Sequence, residues 1–296
     1  MAKFPVISII TPSFNQGDFL EETILSVLSQ NYPALEYFIM DGGSTDNSVE
    51  IIEKYENQLT GWVSEKDNGQ ADAINKGFKQ ARGEYIAFLN SDDLLAKNAL
   101  NHVVECITKY KPDWIAGAVR IFGENADYGL RNPEPSENFG DWLLYNAQIP
   151  QQGSFWRREL LDTAGFLDTD LHFAFDLEYW IRLLQSGCYP RLINQEIAGF
   201  RIHDITKSMG GRSKFIYEHM EILERYKNDV SREERNLIRQ RLHQMLSDAK
   251  IYESAANSEN GNSSIGKKQL KEAISLYPPV LFKRHFWGAV RKLGKR

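Results

Sequence analysis

Cysteine is nearly absent from this sequence. Cys106 and Cys188 are the only two, far apart in a chain of 296 residues. No CxxC pair and no Cys/His cluster at zinc spacing exists, which excludes a disulfide scaffold and a structural zinc site. Two lone thiols suit burial in a reducing compartment. Long apolar runs are missing too, none approaching the roughly 20 residues that cross a bilayer. The N-terminus has no basic stretch, apolar run and cleavage site in series, and the strand-like Val6-Ile7-Ser8-Ile9-Ile10 comes almost at once. No signal peptide is expected. The expected location is the cytoplasm, or the inner face of the cytoplasmic membrane. Excess positive charge is also lacking: a net charge of −5 argues against a nucleic-acid partner. Finally, two phosphate signatures are absent. The first apolar run is followed by Thr11-Pro12-Ser13-Phe14 rather than GxGxxG, and no glycine run ends in GKS or GKT. A dinucleotide-binding turn and a P-loop are excluded.

What is present reads as a folded protein. A hydrophobic share of 42% with 25% charged residues is that of a globular chain, long enough for one large α/β domain or two smaller ones. Strand and helix alternate over the first hundred residues. Val6 to Ile10, Glu36 to Met40, Gly61 to Ser64 and Tyr85 to Leu89 read as strands. Asp18 and Glu21 form a capping-box-like pair ahead of Leu20, Ile24, Val27 and Leu28, which mark one helical face. Further helices carry Val49, Ile52 and Tyr55, then Ile74, Phe78 and Ala81, then Leu100, Val103, Val104 and Ile107. This rhythm predicts an α/β fold with a mostly parallel central sheet flanked by helices. Trp114 to Phe122 reads as a long strand, and Leu177 to Gln185 as a helix ended by Gly187. Tyr189 to Ile193 and Ile197 to Ile202 read as two strands. Ser213 to Ser254 is charged and helical, and the Ser-, Asn- and Gly-rich stretch from Ser254 to Lys267 reads as a linker or loop. The predicted divisions are residues 1–110, 111–211 and a helical C-terminal extension over 212–296.

The strand ends hold the chemistry. Thr11-Pro12-Ser13-Phe14-Asn15-Gln16 follows the first strand and Asp41-Gly42-Gly43-Ser44-Thr45-Asp46 the second. Glu65-Lys66-Asp67-Asn68-Gly69-Gln70 begins the loop after the third, and Asn90-Ser91-Asp92-Asp93 follows the fourth. Ligands of open α/β sheets bind at the carboxyl ends of strands. Carboxylates without a glycine-rich cradle suggest a phosphate neutralised by a hard cation such as Mg²⁺ or Mn²⁺, which takes one or two carboxylates plus the substrate's own phosphates.

These segments, in this order, resemble the inverting family 2 glycosyltransferases of the GT-A (nucleotide-diphospho-sugar transferase) fold, of the bacterial polysaccharide and cell-surface glycan type. The resemblance spans about residues 4–205. It implies that Thr11, Pro12, Ser13, Phe14 and Asp41 line the base and ribose of a nucleotide-diphospho-sugar donor, a UDP-sugar being the favoured one. It places Asp67 on the base or ribose side and Gly69 to Asn75 close to the donor. Asn90, Ser91 and Asp92 match the family's Asp-x-Asp turn, with Asp92 at its metal-binding position. Asn90 departs from the pattern: it can hydrogen-bond a ribose hydroxyl but brings no charge. Asp93 has a second reading, as the cap of the following helix.

The second half supplies the acceptor side in the same resemblance. Pro150 to Arg158 stands beside the donor sugar and acceptor, followed by Gly165-Phe166-Leu167-Asp168. Asp176 aligns with the catalytic base, and Phe175 stands where the family often has Glu. An inverting transfer needs such a base, because the acceptor hydroxyl loses its proton as the new bond forms. The metal answers the charge on the departing diphosphate. Asp176 reads alternatively as a helix cap. Glu178 reads as a support or plain helix position, Trp180 and Leu183 as core rather than acceptor platform, and Trp156 equally as core or as a platform for a sugar. Arg201-Ile202-His203-Asp204-Ile205-Thr206-Lys207-Ser208 is similar to the family's Arg-x-His-x-x-Ser-Lys pattern. It implies His203 at the metal or diphosphate and Lys207 on phosphate. Residues 1–110 would then bind the nucleotide-sugar, and 111–211 the acceptor and base.

Val280 to Arg296 carries six Lys and Arg residues, no acidic one, and interleaved Leu281, Phe282, Phe286, Trp287, Val290 and Leu293. Peripheral membrane contact through residues 280–296 is one reading, with a lipid-linked saccharide as acceptor. A helix packed on the protein with a solvated basic face is the other. Two rival functions stand beside glycosyl transfer: a sugar-nucleotide nucleotidyltransferase, which the non-basic Thr11-Pro12-Ser13-Phe14 disfavours, and a non-catalytic nucleotide-sugar binding module, which the intact Asp92 and Asp176 disfavour.

Overall fold

The computed structural model describes residues 4–134, 139–140, 143, 149–203 and 211–294. The chain divides into two compact units, Met1–Glu137 with Ala147–His203, and Asn138–Asn146 with Asp204–Arg296.

The first unit is built on one nine-stranded sheet. Its leading strands are β1 (Ile7–Ser13), β2 (Leu35–Asp41), β3 (Gly61–Ser64) and β4 (Tyr85–Phe88). They lie parallel in the order β3-β2-β1-β4. The other strands are β5 (Leu94–Leu95), β6 (Trp114–Gly123), β7 (Ala126–Arg131), β8 (Ser154–Arg157) and β9 (Arg191–Ile202). Strand β8 enters antiparallel between β4 and β6, and β9 runs parallel to β6. The predicted parallel sheet is therefore present, with an inserted reversed strand. Helices α1 (Leu20–Leu28), α2 (Ser48–Tyr55) and α4 (Ala99–Tyr110) pack Ile24, Ile52 and Val103 into a core shared with Ile7 and Ile9 of β1. Side chains alternate along a strand, so Ile10 points to the other side. There it touches Gly77 of α3 (Gln70–Gln80), where a Cβ would come within 2.6 Å of its Cγ2. Helices α5 (Leu160–Ala164) and α6 (Phe175–Gln185) complete the unit.

An aromatic cluster fills the space beside α6. The rings of Trp114 and Trp180 stack at 4.7 Å between centroids, and Trp156 meets Trp180 edge-on at 5.2 Å. Trp156 and Trp180 are buried. Trp156 is thus core, which removes it as a platform for a sugar. Cys106 is a buried free thiol and Cys188 a partly exposed one. Among the described residues no helix is long and apolar enough to cross a membrane.

Several sequence expectations are corrected. Helix α1 begins after Phe19 with no side-chain cap, and Glu21 instead bonds Lys54 and Tyr55. A true capping box sits elsewhere, at Ser231 and Glu234. The two strands expected over 189–202 are one strand, β9, whose pairing with β6 shifts register near Ala118. Asp93 caps nothing: α4 starts after Asn98.

The second unit is helical, with α7 (Arg212–Tyr226), α8 (Arg232–Glu259), α9 (Ser263–Leu276) and α10 (Arg284–Gly294). The supposed linker is mostly helix. Helix α8 runs to Glu259, and Asn260-Gly261-Asn262 makes a tight turn with Gly261 at φ +81°. Ser254 Oγ donates to the Gly266 carbonyl at 2.8 Å, and a Cβ on Gly266 would lie 2.8 Å from Ser258 Oγ. The small residues let α8 and α9 touch closely. Phe286 and Ala289 of α10 are buried with Ile251, Leu270, Ala273 and Val280, so the tail's apolar face is used inside the unit.

Candidate active site

Strands β1, β2 and β3 end in register, with Ser13 opposite Asp41 and Asp41 opposite Ser64. Asp41 is buried, and its carboxylate accepts bonds from the Gly43 and Ser44 amides and the Ser44 and Ser64 hydroxyls, at 2.5 to 3.1 Å. Four donors around one carboxylate fix the turn after β2. That turn is laced to the loop after β1: Asn15 N–H donates to Ser44 Oγ, and the Thr45 amide donates to Asn15 Oδ1, both at 2.8 Å. Beside this frame, Ser13 Oγ is buried with no hydrogen-bond partner among the described residues. Buried hydroxyls are normally bonded, so Ser13 keeps hydrogen-bonding capacity that the described protein atoms do not use. Phe14, next along, is 59% exposed. Gly42 is required by closeness, since a Cβ there would lie 2.7 Å from Asp67 Oδ2. Asp67 Oδ1 accepts from the Gly69 amide at 2.8 Å, just before α3.

Other expected residues are held by bonds within the protein. Thr11 is buried and its hydroxyl pairs with the Tyr37 hydroxyl at 3.1 Å, and Pro12 is buried beside it. Both are packed within the sheet. Asn75 is also buried: its amide donates to the Leu167 carbonyl at 2.9 Å and accepts from the Leu167 N–H at 3.0 Å. It clamps the loop before α6 onto α3. Ser91 is buried, and its carbonyl is taken by Thr23.

The turn after β4 is held from several distant segments. Thr23 Oγ1 donates to the carbonyls of Ser91 and Asp93. Asn90 accepts from Gln70 at 2.7 Å and donates to Asp93 at 3.1 Å. Gln151 donates to the Phe88 carbonyl, and Gln152 to Asp93. The Arg201 amide donates to Asp93 Oδ1 and its guanidinium to the Asp92 carbonyl. Asp93 is thus fully buried amid three N–H donors. Burial, and then the charge of Asp92, push its carboxyl well above the usual range. Asp92 stays partly exposed, and its Oδ2 lies 3.0 Å from His203 Nε2, with Phe19 against the imidazole at 4.3 Å between ring centroids.

A carboxylate oxygen beside an imidazole nitrogen is a donor set that a divalent cation accepts. Among the described residues no group of three or more His, Cys, Asp or Glu could hold an ion by itself. Were a cation to bind there, these two side chains would supply part of its ligand set and substrate oxygens the rest.

Asp176 lies at the second position of α6, after Ala174 as its cap residue, so it is not the helix cap. Its Oδ1 accepts from the Leu177 amide at 2.8 Å. Phe175 packs against Phe88 at 6.1 Å between centroids, which sets the start of α6 beside the carboxyl end of β4. Buried Glu178 pairs with Arg182, and Arg182 also donates to the carbonyls of Ala164 and Phe166. Lys207 lies outside the described residues. The sequence reading missed Arg201, Gln151 and Gln152 as supports of the acidic turn. One signal existed: Arg201 and His203 are two apart, hence on one face of an extended chain.

Residues 8–165 match the model of glycosyl transferase family 2. An uncharacterised glycosyltransferase of Mycobacterium tuberculosis is 33% identical over 62% of this chain and 70% of its own length. TuaG of Bacillus subtilis, a glycosyltransferase provisionally assigned to teichuronic acid biosynthesis, is 30% identical over 74% of this chain and 90% of its own. Among solved structures, TarS of S. aureus (residues 1–349, with UDP-GlcNAc) aligns at a TM-score of 0.58 and 17% identity, covering 94% of this chain and 92% of that one. A mannosyltransferase of Pyrobaculum calidifontis, solved with GDP-Man and Mn²⁺, aligns at 0.59 and 18%, covering 99% and 87%. Both likenesses speak for the GT-A-type fold. With its family match covering more than half its length, the chain belongs to glycosyl transferase family 2 and is a glycosyltransferase.

Proposed function

We propose that this enzyme moves a sugar from a nucleoside-diphosphate donor, with UDP as the favoured nucleotide, onto a hydroxyl of a saccharide or lipid-linked saccharide, with inversion at the anomeric carbon. The observation that carries the reading is the Asp92–His203 pair beyond the end of β4. These two residues would hold Mn²⁺ or Mg²⁺ together with the donor's diphosphate. When bound, that cation supplies charge neutralisation for the departing nucleoside diphosphate.

The chain's own residues do the rest. The open hydroxyl of Ser13 and the exposed ring of Phe14 receive the base and ribose. Asp41 keeps the turn beneath them rigid, and Asp67, with Gly69, borders the same edge. Asn90 orients the acidic turn through Gln70 and Asp93. Asp176 takes the proton of the acceptor hydroxyl as the bond to the anomeric carbon forms. Residues 1–110 thus serve the donor, and 111–211 the acceptor and the base. UDP-GlcNAc in one similar structure and GDP-Man with Mn²⁺ in another support a nucleotide-sugar donor and a cation. The teichuronic acid assignment of TuaG supports a cell-surface polysaccharide as the product.

A thermal-shift panel of UDP, GDP and dTDP, each with Mn²⁺, Mg²⁺ or chelator, tests the donor side. Stabilisation by UDP with metal, lost in Asp92→Asn, is expected. Asp176→Asn should keep that stabilisation and lose transfer. Full turnover in Asp176→Asn would refute the base, and equal stabilisation by UDP in chelator would refute the metal.

A further inference from the structure

Helix α10 turns Phe286 and Ala289 into the helical unit's core. Its other side carries Arg284, Trp287 and Arg291, spaced three and four residues apart and so aligned along one face. All three are exposed. The preceding turn adds Phe282, which is 92% exposed, and Trp287 itself is 52% exposed. Trp287 Nε1 donates to the Leu281 carbonyl at 2.8 Å, fixing the indole beside that turn. From Pro278 to Arg296 the sequence has no acidic residue.

We infer that this Phe282–Trp287 surface docks on an anionic lipid bilayer. A partner of Phe282 must envelop a ring that stands almost wholly in water. A fluid interface does that without a preformed socket. Indole rings settle at the headgroup level, and arginines on the same stripe are drawn to anionic headgroups. The contact differs from a helix lying with its apolar face in the lipid, because that face is already occupied by the protein's own core. Aromatic side chains dip into the interface while the helix stays folded on its unit. The inference is independent of the sugar transferred.

Co-sedimentation of the full chain with vesicles tests it. Binding is expected to phosphatidylcholine vesicles that contain phosphatidylglycerol, to fall with added salt, and to be far weaker with phosphatidylcholine alone. Arg284→Gln and Arg291→Gln should each weaken it about fivefold. Phe282→Ser combined with Trp287→Gln should weaken it by about tenfold or more, with an unchanged circular dichroism spectrum showing that the fold is kept. Three results would overturn the inference. One is no sedimentation of the wild type with the anionic vesicles. Another is equal binding by the aromatic double variant. The third is concentration-dependent self-association that the double variant loses, which would assign the surface to a second copy of the chain.

Discussion

Replacing Asn75 by alanine separates two roles that the sequence left merged. If Asn75 touches the donor, the change weakens nucleotide binding and leaves the fold intact. The structure gives the amide another task, since both of its ends are spent on the backbone of Leu167 at 2.9 and 3.0 Å. Alanine removes two hydrogen bonds worth about 1 kcal/mol each and strands a buried N–H and a buried carbonyl, for a total of about 2–4 kcal/mol. For a chain of this size that is a fall in melting temperature of roughly 3–6 °C. The clamped loop leads into α6, so transfer should also slow as the start of that helix loses its anchor on α3. Scanning calorimetry reads the stability, and titration of UDP with Mn²⁺ well below the transition reads the binding. The expected result is a lowered transition with UDP affinity within about threefold of wild type, as fits a residue that touches no ligand. An unchanged transition with strongly weakened binding would refute the reasoning and return Asn75 to the donor site.

Two other perturbations follow from particular side chains. Arg182→Lys exchanges a fork for a point charge: the buried Glu178 carboxylate and the carbonyls of Ala164 and Phe166 share one guanidinium, and an ammonium cannot serve all three sites. A loss of about 2–4 kcal/mol in urea unfolding is expected; a variant as stable as wild type would show that the fork is dispensable. His219 is buried, and burial, then the charge of Arg241, hold its imidazole down at about 4. The folded value lies below the ordinary 6.5, so the unfolded chain binds more protons in between. Stability is therefore full above about pH 6.5, falls as the pH drops toward 4, and levels off below that. The loss is about 3 kcal/mol. Urea midpoints followed by circular dichroism across this window should fall in the wild type and fall less in His219→Leu, and an equal slope in both would sink the assignment.

The sequence reveals the first four strands well because their signals are local. Each of the first four strands is an apolar run ended by a polar turn, and the rule that ligands sit at such ends needs no tertiary knowledge. The inserted strand is another matter. Ser154–Arg157 is four residues long, carries Phe155 and Trp156 on opposite faces, and is buried on both. Nothing local distinguishes it from an acceptor loop. The stretch from Ser254 to Lys267 misleads for the opposite reason. Serine, asparagine and glycine usually mark loops, but here Ser254 and Gly266 are small because two helices meet there. Asp18 and Glu21 show the weakness of spacing alone, since Glu21 finds Lys54 and Tyr55 instead of a helix end. Site residues divide in the same way. Phe14 and Asp92 keep exposed surface at the strand ends, as their positions suggested. The burial of Thr11 and Asn75 depends on neighbours 26 and 92 residues away.

The two adjacent aspartates after β4 do different work, and burial decides which does what. Asp93 is enclosed, with its oxygens facing N–H groups from Asn90, Gln152 and Arg201. A carboxylate so surrounded acts as a bolt, tying the turn to the segment before β8 and to the end of β9. Asp92 retains solvent access and meets His203, which Arg201 precedes by two residues. The same stretch that bolts Asp93 therefore delivers the imidazole to Asp92. Asn90 fits this division: its amide both accepts from Gln70 and donates to Asp93. A charged aspartate in its place would set two carboxylates side by side in a buried setting and lose the donated bond. The asparagine is thus matched to Asp93, and under the proposed function a metal at this turn would rest on Asp92 and His203. Ligands fixed in this way would cost no reorganisation when charge develops on a leaving group, and that advantage would depend on Gln70, Gln152 and Arg201 as much as on the aspartate itself.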